Sequence, residues 1–173
     1  EIILNGKSKI FEDIKSWHSL ISFVPQDIFL MDSNIYQNIA LSNELSSSDI
    51  NNINKILRTV KLDKFLDNFN LNLGDKASKI SEGEKQRVGI ARAIFKKSEF
   101  LVLDETTSSL DVNTEKEIMK SLKNEFKDMT IITIAHRLST IEDYDKVLLI
   151  KEGVLSKIGK PKEVIDFFKM SKN

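Results

Sequence analysis

Phe100-Leu101-Val102-Leu103-Asp104-Glu105 is an apolar run of strand length that stops abruptly at two adjacent carboxylates. A second run, Thr130-Ile131-Ile132-Thr133-Ile134-Ala135, stops at His136 and Arg137, and the stretch 113–126 between them carries apolar residues at helical spacing. Continuous β-branched strands separated by a helix read as a buried parallel sheet. In an open α/β sheet ligands gather at the carboxyl ends of the strands, which is where both runs turn polar. Two neighbouring carboxylates at such an end suit a metal and water site. One can hold Mg²⁺ while the other, pointing the opposite way, polarises a water for attack on a phosphoryl group. The plain alternative is a strand that ends in a charged turn.

Moving downstream, 138–142 and 161–169 read as helices, and the runs 146–150 and 154–158 around Glu152-Gly153 read as a hairpin. Moving upstream, 82–97 has helical periodicity through Val88, Ile90, Ala91 and Ile94, and 70–80 is a polar loop containing Gly74. From Ser33 to about Phe69, Ile35, Ile39, Leu41, Ile50, Ile53, Ile56, Leu57 and Val60 recur at three- and four-residue intervals. This predicts a helical insert of two or three helices with Ser33 and Ser48 as caps. Ile21-Ser22-Phe23-Val24 is a strand stopped by Pro25, and Glu1-Ile2-Ile3-Leu4 is another, closed by the turn Asn5-Gly6. A sheet that starts at the first residue suggests a piece of a longer chain, and its unpaired edge is open to self-association.

Composition narrows the function. The 173 residues carry 26 Lys+Arg against 26 Asp+Glu, a net charge of zero that argues against bulk-charge nucleic-acid binding. No Cys is present, which excludes a disulfide framework, a thiol nucleophile and a thiolate metal site. No run approaches the ~18 apolar residues of a membrane span, and no basic-then-apolar leader opens the chain.

Several residues have both a structural and a chemical reading. Ser81-Glu82-Gly83-Glu84 opens the 82–97 helix as a capping box, with Ser81 as cap and Glu84 at the third helical position. The same turn presents a hydroxyl, a small Gly and free backbone N–H groups to an anion such as a terminal phosphate. His136, alone at a strand end, is more often a structural than a catalytic residue. Gln26 alone is a polar turn residue, and Trp17 and His18 are assigned to packing. Asn5-Gly6-Lys7-Ser8 has the tail of a phosphate-binding P-loop, but the Gly required five positions earlier is Glu1, and no apolar-faced helix follows. It is therefore read as a turn.

Together and in order, these pieces resemble the nucleotide-binding domain of an ABC transporter of the exporter type, over almost the whole chain. Val24-Pro25-Gln26-Asp27-Ile28-Phe29-Leu30, then Ser33-Asn34-Ile35 and Asn38-Ile39, is similar to that family's Q-loop and the segment after it. Gly74-Asp75 and Ile80-Ser81-Glu82-Gly83-Glu84-Lys85-Gln86-Arg87 are similar to the X-loop and the ABC signature. The stretch Leu103-Asp104-Glu105-Thr106-Thr107-Ser108-Ser109-Leu110-Asp111 resembles Walker B running into the D-loop, and Ile134-Ala135-His136-Arg137-Leu138-Ser139-Thr140-Ile141 resembles the H-loop.

The resemblance implies an α/β fold of the P-loop NTPase-like, ABC ATPase type. It has a mostly parallel sheet core, an inserted α-helical subdomain and the N-terminal part of the sheet missing. On this division 1–32 is the remainder of the N-terminal β region with the Q-loop. Residues 33–98 are the α-helical subdomain with the signature, and 99–173 the α/β core with Walker B, D-loop and H-loop. It implies ATP and Mg²⁺ as ligands. Asp104 and Gln26 would attend the metal, Glu105 would orient the attacking water, and His136 would contact the γ-phosphate. Two such domains would pair head to tail, so Ser81, Gly83 and Glu84 would meet nucleotide held by the partner and Asp111 would communicate across the interface. The implied partners are a second nucleotide-binding domain, in a homo- or heterodimer, and a membrane domain near Gln26 and the helical insert. The implied place is the cytoplasmic face of a membrane.

Two departures from the family pattern stand out. The common Leu-Ser-Gly-Gly-Gln signature is here Ile80-Ser81-Glu82-Gly83-Glu84, which predicts a weakened site unless Glu82 faces solvent. Walker A and the adenine-stacking aromatic would lie upstream of Glu1, so these residues alone are expected to bind Mg-ATP weakly without turnover. A soluble ABC-type ATPase and a non-catalytic module of the same fold are the alternatives.

Overall fold

The computed structural model describes residues 3–4, 7–8, 18–69, 71–73, 79–106, 109–135 and 137–171. Strands β1 (Ile3–Leu4) and β2 (Lys7–Ser8) pair antiparallel, while the expected turn at Asn5-Gly6 lies outside the described residues. The centre is a parallel sheet of order β3-β4-β5, built from β3 (Ile21–Val24), β4 (Phe100–Asp104) and β5 (Thr130–Ile134). Its register keeps the strand ends level: Val24 pairs with Leu103, and Asp104 with Ile134.

Between β3 and β4 come α1 (Ile35–Ala40), α2 (Ser47–Thr59), a 3₁₀ turn (Asp63–Phe65) and α3 (Glu82–Phe95). The periodicity that predicted these helices becomes their packed face: Ile35 and Ile39 of α1, Ile53, Ile56 and Leu57 of α2, and Ile90 and Ile94 of α3 are all buried. One core cluster runs from these residues through Val24, Leu101 and Leu103 of the sheet to Ile118 and Leu122.

The caps fall one and two residues from where they were expected. Asn34 caps α1 because its Oδ1 accepts the Gln37 N–H at 2.9 Å, while the Ser33 hydroxyl is taken by Asn38 Nδ2 at 3.0 Å. Ser46, not Ser48, caps α2, since only Ser46 has Asp49 three residues on to complete a capping box. His18 is exposed, not packed, and its carbonyl accepts Lys96 Nζ at 2.6 Å; Trp17 lies outside the described residues.

After β4 the chain forms α4 (Val112–Glu125), β5, α5 (Leu138–Ile141), the hairpin β6 (Val147–Lys151) with β7 (Val154–Gly159), and α6 (Pro161–Met170). Continuous apolar strands predicted a sheet buried on both faces, and among the described residues only one face is covered. Val24 meets α3 closely, and Ser22, Leu101 and Leu103 are buried with it. Strand alternation turns Phe23, Val102 and Ile132 to the other face, where Phe23 is 57% and Ile132 50% exposed. No helix among the described residues is long and apolar enough to cross a membrane.

Candidate functional site

The level register of β3, β4 and β5 gathers their polar continuations at one edge of the sheet. Gln26 lies two residues beyond Val24, as Glu105 lies two beyond its partner Leu103, and Ala135 follows Ile134 opposite Asp104. Asp104 and Glu105 are half-buried and Gln26 is exposed. His136 lies outside the described residues. The chain turns sharply at this edge, because Glu105 sits at φ 51°, a left-handed conformation that a residue with a Cβ adopts only under constraint. Thr106, the next residue, is buried, and among the described residues its hydroxyl oxygen has no hydrogen-bond partner.

The donors at this edge are oxygens from two carboxylates and an amide. That is the hard set that suits Mg²⁺, which keeps several waters and takes one or two carboxylates together with substrate phosphates. Among the described residues no group of three or more His, Cys, Asp or Glu forms a closed cage. The residues therefore fit a cation shared with a phosphate ligand better than an all-protein metal site.

A second cluster forms around the start of α3. Ser81 Oγ accepts the Glu84 N–H at 3.3 Å, and the Glu84 carboxylate accepts the Ser81 N–H at 2.8 Å, giving the expected capping box. Gly83 is packed against the segment after β4: a Cβ there would stand 3.3 Å from Leu110 Cδ2 and 3.4 Å from Ser109 O. Asp111 caps α4 through the N–H groups of Asn113 and Thr114 at 3.1 and 3.0 Å. Arg137 Nη1 donates to Leu110 O at 3.1 Å, and Thr140 Oγ1 donates to the buried Glu115 at 3.2 Å. The structure thus joins three separated stretches, the α3 start, Ser109–Asp111 and the residues after His136. Gly74 and Asp75 lie outside the described residues.

Charge in this cluster is matched. Glu82 is exposed and pairs with Lys85 at 3.2 Å. Glu84 lies 2.5 Å from Lys64 Nζ and 3.9 Å from Arg87. Burial works to raise the Glu84 carboxyl, but the hydrogen bonds from Lys64 and Ser81 outweigh it and hold the group below the ordinary carboxylate range. Burial lowers Arg87, against the attraction of Glu84 and Asp111.

A groove of about 600 Å³ opens between β3 and the helices, lined by Phe23, Pro25, Ile28, Phe29, Leu41 and Arg92 among others. Arg92, one of its lining residues, donates to Phe29 O, Asn38 O and Asn38 Oδ1 at 2.5 to 2.9 Å. Lys64, Arg87, Arg92 and Glu115 were not singled out from the sequence. Only Glu115 carried a signal: with Ile118, Met119 and Leu122 it occupies the i, i+3, i+4, i+7 stripe of α4, where a carboxylate is out of place unless it has a buried task.

The family model described as ABC transporter matches residues 1–108. Over 169 residues the chain is 36% identical to an ATP-dependent lipid A-core flippase of Francisella tularensis subsp. holarctica, covering 96% of this chain and 28% of the flippase. An export ATP-binding/permease protein of Rickettsia felis is 34% identical over 162 residues, 91% of this chain and 28% of that protein. The fold superposes with a TM-score of 0.83 and 31% identity on a bacterial Atm1-family ABC exporter solved with ATP bound, over 94% of this chain and 29% of the exporter. The chain therefore spans less than a third of the length of these relatives. With the family model covering more than half of the chain and the relatives nearly all of it, the order of motifs along the sheet edge has one source: the chain belongs to the ABC transporter family.

Proposed function

We propose that these residues are the greater part of the ATP-hydrolysing domain of an exporter-type transporter. The domain works at the cytoplasmic face of a membrane with a membrane-spanning part and a second nucleotide-binding domain. The observation that carries this reading is the shared edge of β3, β4 and β5, with Glu105 locked in a left-handed turn beside Asp104 and Gln26 alongside.

In this reading Asp104 and Gln26 hold Mg²⁺, which when bound neutralises charge on the phosphate oxygens. Glu105, in the left-handed turn directly after Asp104, would accept a hydrogen bond from the attacking water and orient it in line with the γ-phosphorus. His136 donates to the γ-phosphate. Ser81, Gly83 and the first N–H groups of α3 meet the triphosphate on the partner domain, and the contact of Gly83 with Ser109 and Leu110 ties that turn to Asp111. Glu82, exposed and paired with Lys85, gives no ground for a weakened site.

The groove beside Gln26, with exposed Phe29 and Leu41 on its walls, suits an apolar segment of the membrane part. The open face of the sheet suits further polypeptide of the same domain carrying the P-loop, a motif these 173 residues do not contain in full. The chain covers 28% of the flippase, so the lipid in that protein's name is not carried over.

The test is Glu105→Gln in the intact transporter. It is expected to bind Mg-ATP with wild-type affinity and to lose turnover by about 10²-fold or more. Turnover near the wild-type rate would overturn the assignment.

A further inference from the structure

Both acids in the first turn of α3 are matched by a lysine, but in different ways. Glu82 pairs with Lys85 within the helix, whereas Glu84 reaches Lys64 in the 3₁₀ turn that follows α2. The Glu84 side chain is only 13% exposed. One of its oxygens accepts the Ser81 N–H, and the other lies 2.5 Å from Lys64 Nζ, with Arg87 at 3.9 Å as the remaining cation. Arg87 is also drawn by the negative charge of Asp111, so its attraction is divided between two carboxylates.

We infer that Lys64 is a positioning residue for the signature turn: its ammonium neutralises Glu84 and keeps that carboxylate folded into the capping box, so that Ser81 and Gly83 meet a triphosphate without an opposing charge. The inference rests on the reading under Proposed function. Without Lys64 the half-buried carboxylate keeps only the shared Arg87, and an unmatched negative charge stands one helical turn from an incoming polyanion. With Gln at position 84 the capping box survives, because an amide oxygen accepts the Ser81 N–H as well, and Lys64 has nothing left to neutralise.

The experiment is a double-mutant cycle in the intact transporter, reading ATPase rate against ATP concentration for wild type, Lys64→Ala, Glu84→Gln, the double variant and Lys64→Arg. Lys64→Ala is expected to raise KM for ATP by about 3- to 10-fold at low ionic strength, more than it lowers kcat, with a smaller effect at high salt. Lys64→Arg keeps the wild-type KM, and in the Glu84→Gln background Lys64→Ala changes KM by less than about 2-fold. Equal effects in both backgrounds, or a loss of thermal stability with KM unmoved, would overturn the inference.

A second arm does not depend on turnover. In the intact transporter, with ¹⁵N-labelled serine and glycine, tripolyphosphate is titrated while the Ser81 and Gly83 amides are followed by NMR. Lys64→Ala should weaken the response when residue 84 is Glu and not when it is Gln; identical responses in all four variants, or none in any, would sink the inference. A wild-type transporter without ATPase activity would overturn the functional reading instead, leaving the amides to decide this one.

Discussion

A carboxylate residue at φ 51° is held where glycine would rest more easily, and position 105 pairs that strain with the acid the proposed chemistry needs. Strain and function separate in Glu105→Gly, which relaxes the turn and removes the carboxylate. Denaturant unfolding of this variant is expected to stay within about 1 kcal/mol of wild type. A loss of several kcal/mol would mean that the side chain is a structural anchor. Glu84 makes a pH prediction. Its folded pKa lies below the unfolded value of about 4.3, so the folded state binds fewer protons, and the resulting stability is present above that value and lost as pH falls through the folded pKa. Glu84→Gln should therefore flatten the acid limb of the stability curve below about pH 5. Asp49 and Asp111, also depressed by hydrogen bonds led by those from Ser46 and Thr114, keep their own share of the slope. An unchanged limb would show that the Lys64 and Ser81 hydrogen bonds do not bias the carboxyl. Asp104, Glu105 and the Ser81 capping box were legible in the sequence because each is defined by neighbours within three residues. The Lys64–Glu84 pair was not, because it joins two elements whose approach is set by packing.

Among the elements, α3 does most to join the parts, and one residue lets it approach the sheet. A Cβ on Gly89 would stand 2.5 Å from Ile28 Cδ1, 2.9 Å from Ile28 Cγ1 and 3.1 Å from Val24 Cγ1, so the helix lies against the strand end and the segment after it with no room to spare. Gly89→Ala gains helix propensity but overpacks this contact, and should destabilise by about 1 to 3 kcal/mol. Adding Ile28→Val, which removes the Cδ1 atom, should recover part of the loss in urea unfolding; a neutral Gly89→Ala would mean that Ile28 swings aside freely. Helix periodicity fixed where α1, α2 and α3 lie, because one buried stripe per helix is a local pattern. The caps of α1 and α2 were misplaced by one and two residues because neighbouring Ser and Asn have similar preferences, whereas Ser81 caps α3 as expected. Competition for each hydroxyl, as between Asn38 and the cap position for Ser33, is decided in three dimensions.

For the whole molecule, the strands were read as apolar on both sides, and that reading meets a sheet with one open face. Phe23 and Ile132 are the kind of side chain a fold covers, and Asp104 lies at the end of the row that carries Val102 on that same face. Sequence alone could not show this, because an apolar strand looks the same whether its cover belongs to the described residues or to another stretch of polypeptide. The placement has a consequence for nucleotide binding. In P-loop ATPases the β- and γ-phosphates are cradled by the backbone N–H groups and Lys of a complete P-loop, and here Gly6-Lys7-Ser8 lacks the earlier Gly. In the proposed reading, Asp104, Glu105 and Gln26 would attend a cation already bound to phosphate and add little affinity of their own. The 173-residue chain should therefore bind Mg-ATP with a Kd weaker than about 1 mM, a free energy no larger than roughly 4 kcal/mol, and show no turnover. Calorimetry checks this directly. Micromolar affinity would require a phosphate cradle elsewhere in these residues, and would make the open face of the sheet beside Asp104 the first place to look for it.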